Sequence, residues 1–352
     1  MNVLCTPNSN LVLFDHIRWR DPISGAPLKP IVTARTPAGV PICGALRVEG
    51  TPYGYPIVDC VARLTPNLAA RHREWLASVG LEPPPIPEGA AVSFQPQVTV
   101  ESFGFQWAWN RAMRSEADLR WRIADRFRIN PVEFSGRLVL DAGAGAGDQS
   151  RWFINQGAQV VSIDLSSAIE VVASKMRLFP NWVGVQGDIT ALPFADDEFE
   201  VVYCEGVIQH THDSALTVRE LCRTVRKEGR ILATHYGVSK HLPGRIKLAL
   251  INAVRNRLSR LDRYKLLWVT GNLAALAYVP LLGRLIRLSG LAAYYDLMSD
   301  FKTTWTNTFD AYGNHAYQRH ITPEEFWRYF ESAGHMERVY QEHTLVVACK
   351  TS

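Results

Sequence analysis

From Leu138 onward the apolar and polar positions of this chain alternate between two rhythms. Short apolar runs, "RLVLDAG", "AQVVSIDL", "WVGVQGD", "FEVVYCEG" and "GRILATHYG", each end in turn-forming or charged residues, and the stretches between them are long enough for helices. Strands spaced by helices in this way predict an α/β fold with a parallel, doubly wound sheet. Further on, "ITPEEFWRYFESAGH" opens with Thr322, Pro323 and Glu325, a capping box with proline at the first helical position, and closes at Gly334. "MERVYQEHTLVVACK" then reads as two β-runs joined tightly, an antiparallel pair at the sheet edge.

The first part of the chain has a different texture. Runs such as "GALRVEG" and "TPYGYPIVDCVARLTP", punctuated by turn formers, predict a small β-rich module over 1–65. A helix, "NLAARHREWLASVG", and the proline-rich "LEPPPIPEGAAVSFQPQ" form a connection over 66–100, and the main domain follows over 101–352. In "QWAWNRAMRSEADLRWRIADRFRI" basic and aromatic residues interleave at helical spacing, a pattern that covers an adjacent core more often than it binds nucleic acid.

Composition narrows the class. At 352 residues with 47% hydrophobic content the chain suits two globular domains. Its six cysteines are scattered without a C-x-x-C pair, which predicts free thiols, and "MNVLCTPNSN" lacks the basic and apolar regions of a secretory signal, so cytoplasmic residence is the expectation. A net charge of +4 is too small to argue for nucleic acid. It is unevenly spread, however. Between Lys240 and Arg287 ten Lys and Arg accompany one acid, Asp262, so this span carries +9 and the remainder −5.

Candidate chemistry begins at "LVLDAGAGAGDQS". Gly143, Gly145 and Gly147 directly follow a strand, where glycine lets the backbone turn tightly and approach a ligand beside the next helix's N–H groups. A dinucleotide fingerprint counted from Gly143 needs glycine at 148, where Asp148 stands. Asp141 at the strand end would repel a pyrophosphate and attract an ammonium group, so a zwitterionic or cationic ligand is favoured over NAD. Asp164 ends the next strand, where it can accept from both hydroxyls of a ribose. Asp188, in "VQGD", can accept from an exocyclic adenine amine. Each acid alone could equally be a helix N-cap; three at consecutive strand ends line one crevice.

With those residues in view, the segment from about 137 to 235 resembles class I S-adenosylmethionine-dependent methyltransferases, in particular those similar to ubiquinone and menaquinone biosynthesis enzymes, through "VLDAGAGAGDQS", "VVSIDLS", "VQGDITALPFADDEFEVVYCEGVIQHTHD" and "LCRTVRKEGRILATHYG". The resemblance implies a Rossmann-like, seven-stranded sheet with an antiparallel last strand and S-adenosylmethionine as cofactor. It implies that Asp141, Gly143 and Gly145 of the glycine loop contact the methionine end and that Asp164 binds the ribose. It further implies that Leu165 packs on adenine, that Asp188 and the Ile189 backbone read its edge, and that Glu205, Gly206 and Val207 face the methionine moiety and the acceptor side. Where many relatives have cysteine or threonine at 144 and arginine at 148, this chain has Ala144 and Asp148. The N-terminal module resembles the Trm112-like, zinc-ribbon-type domains found ahead of some bacterial methyltransferases, but Asp21 and Ser24 stand where the first C-x-x-C pair would be and no second pair exists, so a metal-free module is expected.

Methyl transfer from a sulfonium asks the protein mainly for alignment and a dry pocket, with a general base where the acceptor must lose a proton. His210 and His235, at strand ends facing the cofactor, are the candidates. His210 could instead cap the following helix, and His235 could simply be buried and hydrogen-bonded. The basic insert over 240–300 contains "LLWVTGNLAALAYVPLLG", an uncharged run of about spanning length that Gly271, Asn272 and Pro280 argue against as a membrane helix. It reads as a helical lid, with peripheral contact to an anionic membrane as the alternative. In the aromatic-rich segment after it, Tyr312, His315 and Tyr317 are candidate substrate contacts. The expectation is transfer of a methyl group to a small molecule, at oxygen. RNA or a lipid-linked molecule as acceptor, and a non-enzymatic cofactor-binding scaffold, remain alternatives.

Overall fold

The computed structural model describes residues 12–86, 101–106, 114–239, 241–293, 300–313 and 317–351. Eleven strands form one sheet. Four come from the N-terminal part: β1 (Leu28–Arg35), β2 (Pro41–Val48), β3 (Gly54–Val58) and β4 (Val61–Arg63). The others are β5 (Leu138–Ala142), β6 (Gln159–Asp164), β7 (Trp182–Gln186), β8 (Phe199–Cys204), β9 (Val225–Thr234), β10 (Met336–Glu342) and β11 (Leu345–Lys350). Their spatial order is β1-β2-β3-β4-β7-β6-β5-β8-β9-β11-β10. β7, β6, β5, β8 and β9 run parallel, while β11 lies antiparallel to β9, and β10 antiparallel to β11.

The five parallel strands are apolar almost throughout because both faces are covered. β7 is buried at every position. The helices α1 (Pro66–Arg71), α2 (Arg73–Ser78) and α3 (Glu116–Arg120) precede β5. Then α4 (Asp148–Asn155), α5 (Ala168–Met176) and α6 (Ser214–Thr224) alternate with the strands. Two large cores result, one holding Val161, Val202 and Ile231, the other Val139, Val160 and Leu232. α4 shows how the sequence sets one such element: Trp152 and Phe153 are inward, and Gly147 at its N-cap takes φ 81°.

The expected separate module over 1–65 is, in the structure, continuous with the main sheet. Asp59 and Cys60 both have positive φ, the two-residue turn whose twist matches a hairpin, and they deliver β4 alongside β7 in parallel. Arg63, 6% exposed, donates from Nη1 to Gln186 Oε1 (2.5 Å) and Glu170 Oε1 (3.2 Å), and the Leu64 N–H donates to the Gln186 carbonyl, which fixes the junction. Val61 and Ala62 are fully covered there. Asp21 accepts from the Tyr55 hydroxyl (2.6 Å) and from the Ser24 hydroxyl and N–H, closing a turn by hydrogen bonds. Burial, followed by the Asp21 charge, pushes the Tyr55 hydroxyl well above its usual pKa.

After β9 come α7 (Leu242–Leu258), α8 (Arg263–Leu276), α9 (Leu282–Ser289) and α10 (Phe301–Tyr312), a helical cap with a small core of Leu266, Phe309 and Tyr312. α8 packs on α10 through Leu266, Thr270 and Ala274, and the Trp305 indole donates to the Leu267 carbonyl (2.9 Å). No helix among the described residues is long and apolar enough to cross a membrane. α11 (Pro323–Ala333) carries the capping box at Thr322 and Glu325 and ends at Gly334, φ 77°.

Candidate functional site

Strand order reverses between β5 and β8, and at the carboxyl ends of these strands the sheet opens into a cavity of about 1040 Å³ roofed by the helical cap. That exceeds what one small ligand usually fills. The glycine loop after β5 forms its floor. Gly143 has φ 88°, and a Cβ there would run into Val207 Cγ2, so only glycine allows the loop and the segment after β8 to meet. The Gly143 and Ala144 N–H groups both donate to the Ile163 carbonyl, at 2.8 and 3.0 Å, and tie the loop to β6.

Asp164 continues that tie. Its Oδ2 accepts from the Gly145 N–H (2.9 Å) and its Oδ1 from the Ser166 N–H and hydroxyl (2.8 and 2.7 Å). Burial nevertheless raises its pKa above the usual carboxylate value. Asp188 is 4% exposed; Oδ1 accepts from the Thr190 N–H and hydroxyl, both at 2.8 Å, while Oδ2 is buried with no hydrogen-bond partner. Burial raises this carboxyl too. A buried acceptor left unsatisfied costs about 1–3 kcal/mol, and Asp188 carries this one on the cavity wall.

Gly143, Gly145, Asp164, Leu165, Asp188, Ile189, Glu205, Gly206, Val207, His210 and His235 all line this one cavity. Asp141 and Gly147 do not. The Asp141 side chain turns away behind the loop, where Oδ2 accepts from Ser150 (2.5 Å); Ser150 pairs with Ser162 (2.7 Å), which accepts from the Trp182 indole (2.9 Å). Burial pushes Asp141 up to about 7. Gly147 serves packing instead, since a Cβ there would lie 2.9 Å from Val172 Cγ1.

Glu205 is already engaged. Its Oε1 accepts from Arg122 (3.3 Å) and Arg126 (2.5 Å), and its Oε2 from the Tyr203 hydroxyl (2.7 Å). Burial works to raise its pKa, but Arg122 and Arg126 outweigh it and hold the carboxyl below the usual range. These arginines come from the segment read as core cover, and pairing with Glu205 brings them to the cavity wall.

The two histidines differ sharply. His210 is held by Nδ1 against the Tyr317 carbonyl (3.0 Å), between the edges of Phe103 and Tyr236. A carbonyl only accepts, so Nδ1 carries the proton and Nε2 is the basic nitrogen of the neutral ring. His235 is tied at both nitrogens, Nδ1 to the Tyr236 carbonyl (3.0 Å) and Nε2 to the Ser214 hydroxyl (3.4 Å), and burial lowers its pKa to about 4. Of the aromatic candidates, Tyr312 is 1% exposed within the cap core, donates to the Leu291 carbonyl (3.0 Å) and does not line the cavity. Tyr317 stays outside the wall, its ring under the Arg319 guanidinium. His315 lies outside the described residues.

Sequence reasoning missed part of the cavity wall. Tyr236, Asp310 and His320 gather there, with the Tyr236 hydroxyl 3.4 Å from Asp310 Oδ2 and the His320 ring against Tyr236. Tyr236 stands beside His235 and was readable by position; Asp310 and His320 are more than seventy residues away and only folding unites them.

Residues 140–233 match the family of the methyltransferase domain. A demethylmenaquinone methyltransferase of Thermobifida fusca is 32% identical over 137 residues, covering 38% of this chain and 56% of its own length. A malonyl-[acyl-carrier protein] O-methyltransferase of Halorhodospira halophila is 33% identical over 129 residues, covering 34% and 43%. The chain thus spans about half the length of these curated relatives. Among solved structures, the 1,6-didemethyltoxoflavin-N1-methyltransferase of Burkholderia thailandensis aligns over 92% of this chain and 100% of its own, at 14% identity and TM-score 0.38. The stretch from β5 through β9 is therefore that of a methyltransferase domain.

Proposed function

We propose that the chain is an S-adenosylmethionine-dependent methyltransferase acting on a small molecule, at oxygen. The observation that carries the reading is the buried Oδ2 of Asp188, without a hydrogen-bond partner, on a residue that lines the same cavity as Gly143 and Asp164 at the point where strand order reverses. An adenosine fits this set of residues: Asp188 Oδ2 accepts from the exocyclic amine, Leu165 meets the base face, and Asp164 accepts from the ribose hydroxyls. When bound, the cofactor supplies an electrophilic methyl group on a sulfonium.

What the chain's own residues supply is alignment and proton handling. Gly143 and Gly145 let the backbone come close, and Glu205 fixes Arg122 and Arg126 on the wall rather than pairing directly with the ammonium group. An acceptor hydroxyl must lose its proton as the new C–O bond forms, and His210, whose Nδ1 is held by the Tyr317 carbonyl, offers Nε2 as the base that takes it. His235, neutral and held at both nitrogens, orients the end of β9.

Titration with S-adenosylmethionine and NADH tests the cofactor: tight binding of the first and none of the second is expected, and the reverse would overturn the reading. Labelled S-adenosylmethionine with cell extract tests the acceptor. Label in a small-molecule fraction is the expected result, whereas label confined to RNA or protein would refute it.

A further inference from the structure

The helical cap has an outer surface that the fold leaves uncovered. α7 spans seventeen residues, yet none of its side chains is buried. A helix draws most of its stability from packing an apolar face. Here Leu242, Ile246 and Leu250, four residues apart and so on one face, are 67%, 61% and 48% exposed. α9 repeats the arrangement: only Gly283 is buried, while Leu281 at its N-cap and Leu285 and Leu288 within it are 90%, 66% and 66% exposed. Trp268 on α8 adds an indole at 70% exposure. Among the described residues, thirteen of the twenty large exposed apolar or aromatic side chains fall between Leu242 and Phe301. This is an accumulation that single exposed leucines do not explain.

The same span carries nine Lys and Arg against Asp262, Asp296 and Asp300, a net charge of +6. Whatever covers it must satisfy both properties. A second copy of the chain would bring two surfaces of local charge +6 together, and an RNA would neutralise the arginines but leave the leucines in water. An anionic lipid surface answers both demands. Acyl chains receive the leucines, phosphate headgroups receive the guanidinium groups, and Trp268 suits the boundary between them.

We propose that α7, α8 and α9 dock the protein on an anionic membrane surface, lying on it rather than crossing it. The inner side of the same helices roofs the cavity through Leu248 and Ile251 of α7 and Arg287 of α9. Docking therefore sets the cavity roof against the headgroups, and apolar acceptors dissolved in the bilayer can reach the site without crossing water.

The test uses the full chain and vesicles, with no need for turnover. Protein is pelleted with vesicles of phosphatidylcholine alone, or of equal parts phosphatidylcholine and phosphatidylglycerol. Binding is expected to the second and not the first, and to fall at least tenfold in 1 M salt, where the Debye length is about 3 Å. Leu285→Glu with Leu288→Glu should lower partitioning at least tenfold, and Leu285→Phe with Leu288→Phe should keep it. Both pairs are exposed, and S-adenosylmethionine affinity, measured alongside, should be unchanged. Equal recovery with neutral vesicles, no recovery at all, or unaltered binding by the Glu pair would overturn the proposal. So would a concentration-dependent dimer that the Glu pair dissolves, or RNA competing the protein off vesicles. Vesicle binding without S-adenosylmethionine binding would sustain the docking and sink the assigned activity, so the two fail separately.

Discussion

Replacing Asp188 by Asn is the sharpest test of the site, because its effects on the ligand and on the fold should have opposite signs. In the folded protein Oδ1 is occupied by Thr190 and Oδ2 has no partner. The amide keeps an acceptor for Thr190 and places an NH2 where Oδ2 was, so an adenine amine would meet a donor instead of an anion. Losing a hydrogen bond to a charged group is worth about 1.5–3 kcal/mol, and each 1.4 kcal/mol is tenfold in affinity, so S-adenosylmethionine should bind about ten- to a hundredfold more weakly. Adenosine alone should lose the same factor, because the methionine end is untouched.

The unliganded fold should respond the other way. Burial raises the Asp188 pKa, so its ionisation costs stability. The cost is absent below the unfolded value of about 3.9, grows as pH rises toward the folded pKa, and is complete above it. Asn removes it, and the melting temperature at neutral pH should hold or rise. Calorimetric titration and thermal melts read the two effects. An affinity within twofold of the parent, with the fold intact, would refute the assignment of Oδ2 to the adenine edge.

Three further outcomes follow from the same geometry. His210→Ala should slow methyl transfer by about a hundredfold or more, as removal of a general base does, while leaving S-adenosylmethionine affinity unchanged in a binding titration; equal rates would exclude the base role. Gly143→Ala should cost several kcal/mol of stability or abolish cofactor binding, through positive φ and the collision with Val207, and Val207→Ala should restore only the part due to collision. Asp141, raised to about 7 by burial, makes the fold lose stability as pH climbs from about 4 to about 7. Asp141→Asn should flatten that slope in denaturant titrations across this window, and an unchanged slope would show that the carboxyl ionises freely.

Much of the site was legible locally. Asp164 and Asp188 stand at strand ends, and a strand end is readable from where an apolar run stops, so their convergence follows from the doubly wound order itself. Asp141 occupies the same kind of position, yet its side chain enters the core behind the loop. The choice between cavity and core depended on Ser150, on the facing turn of α4, and on Ser162 one strand over. Glu205 lines the cavity, and the pairing of its carboxylate with Arg122 and Arg126, about eighty residues earlier, could not be read from neighbouring residues. Tyr312 was a candidate substrate contact by resemblance to the substrate-facing segment of similar enzymes, and in the fold it is buried in the core between α8 and α10.

The sequence by itself determined the alternation of strands and helices from Leu138, the glycine loop, and the acids at successive strand ends, because periodicity, turn chemistry and capping act over a few residues. Only the tertiary structure decided that β4 would pair with β7 and extend one sheet to eleven strands, that His210 would be held through Nδ1 while His235 is tied at both nitrogens, and that the cap would leave α7 without a buried side chain. Each of these depends on a partner far away in the chain: Gln186 for Arg63, the Tyr317 carbonyl for His210, and for α7 the absence of any buried side chain along its length.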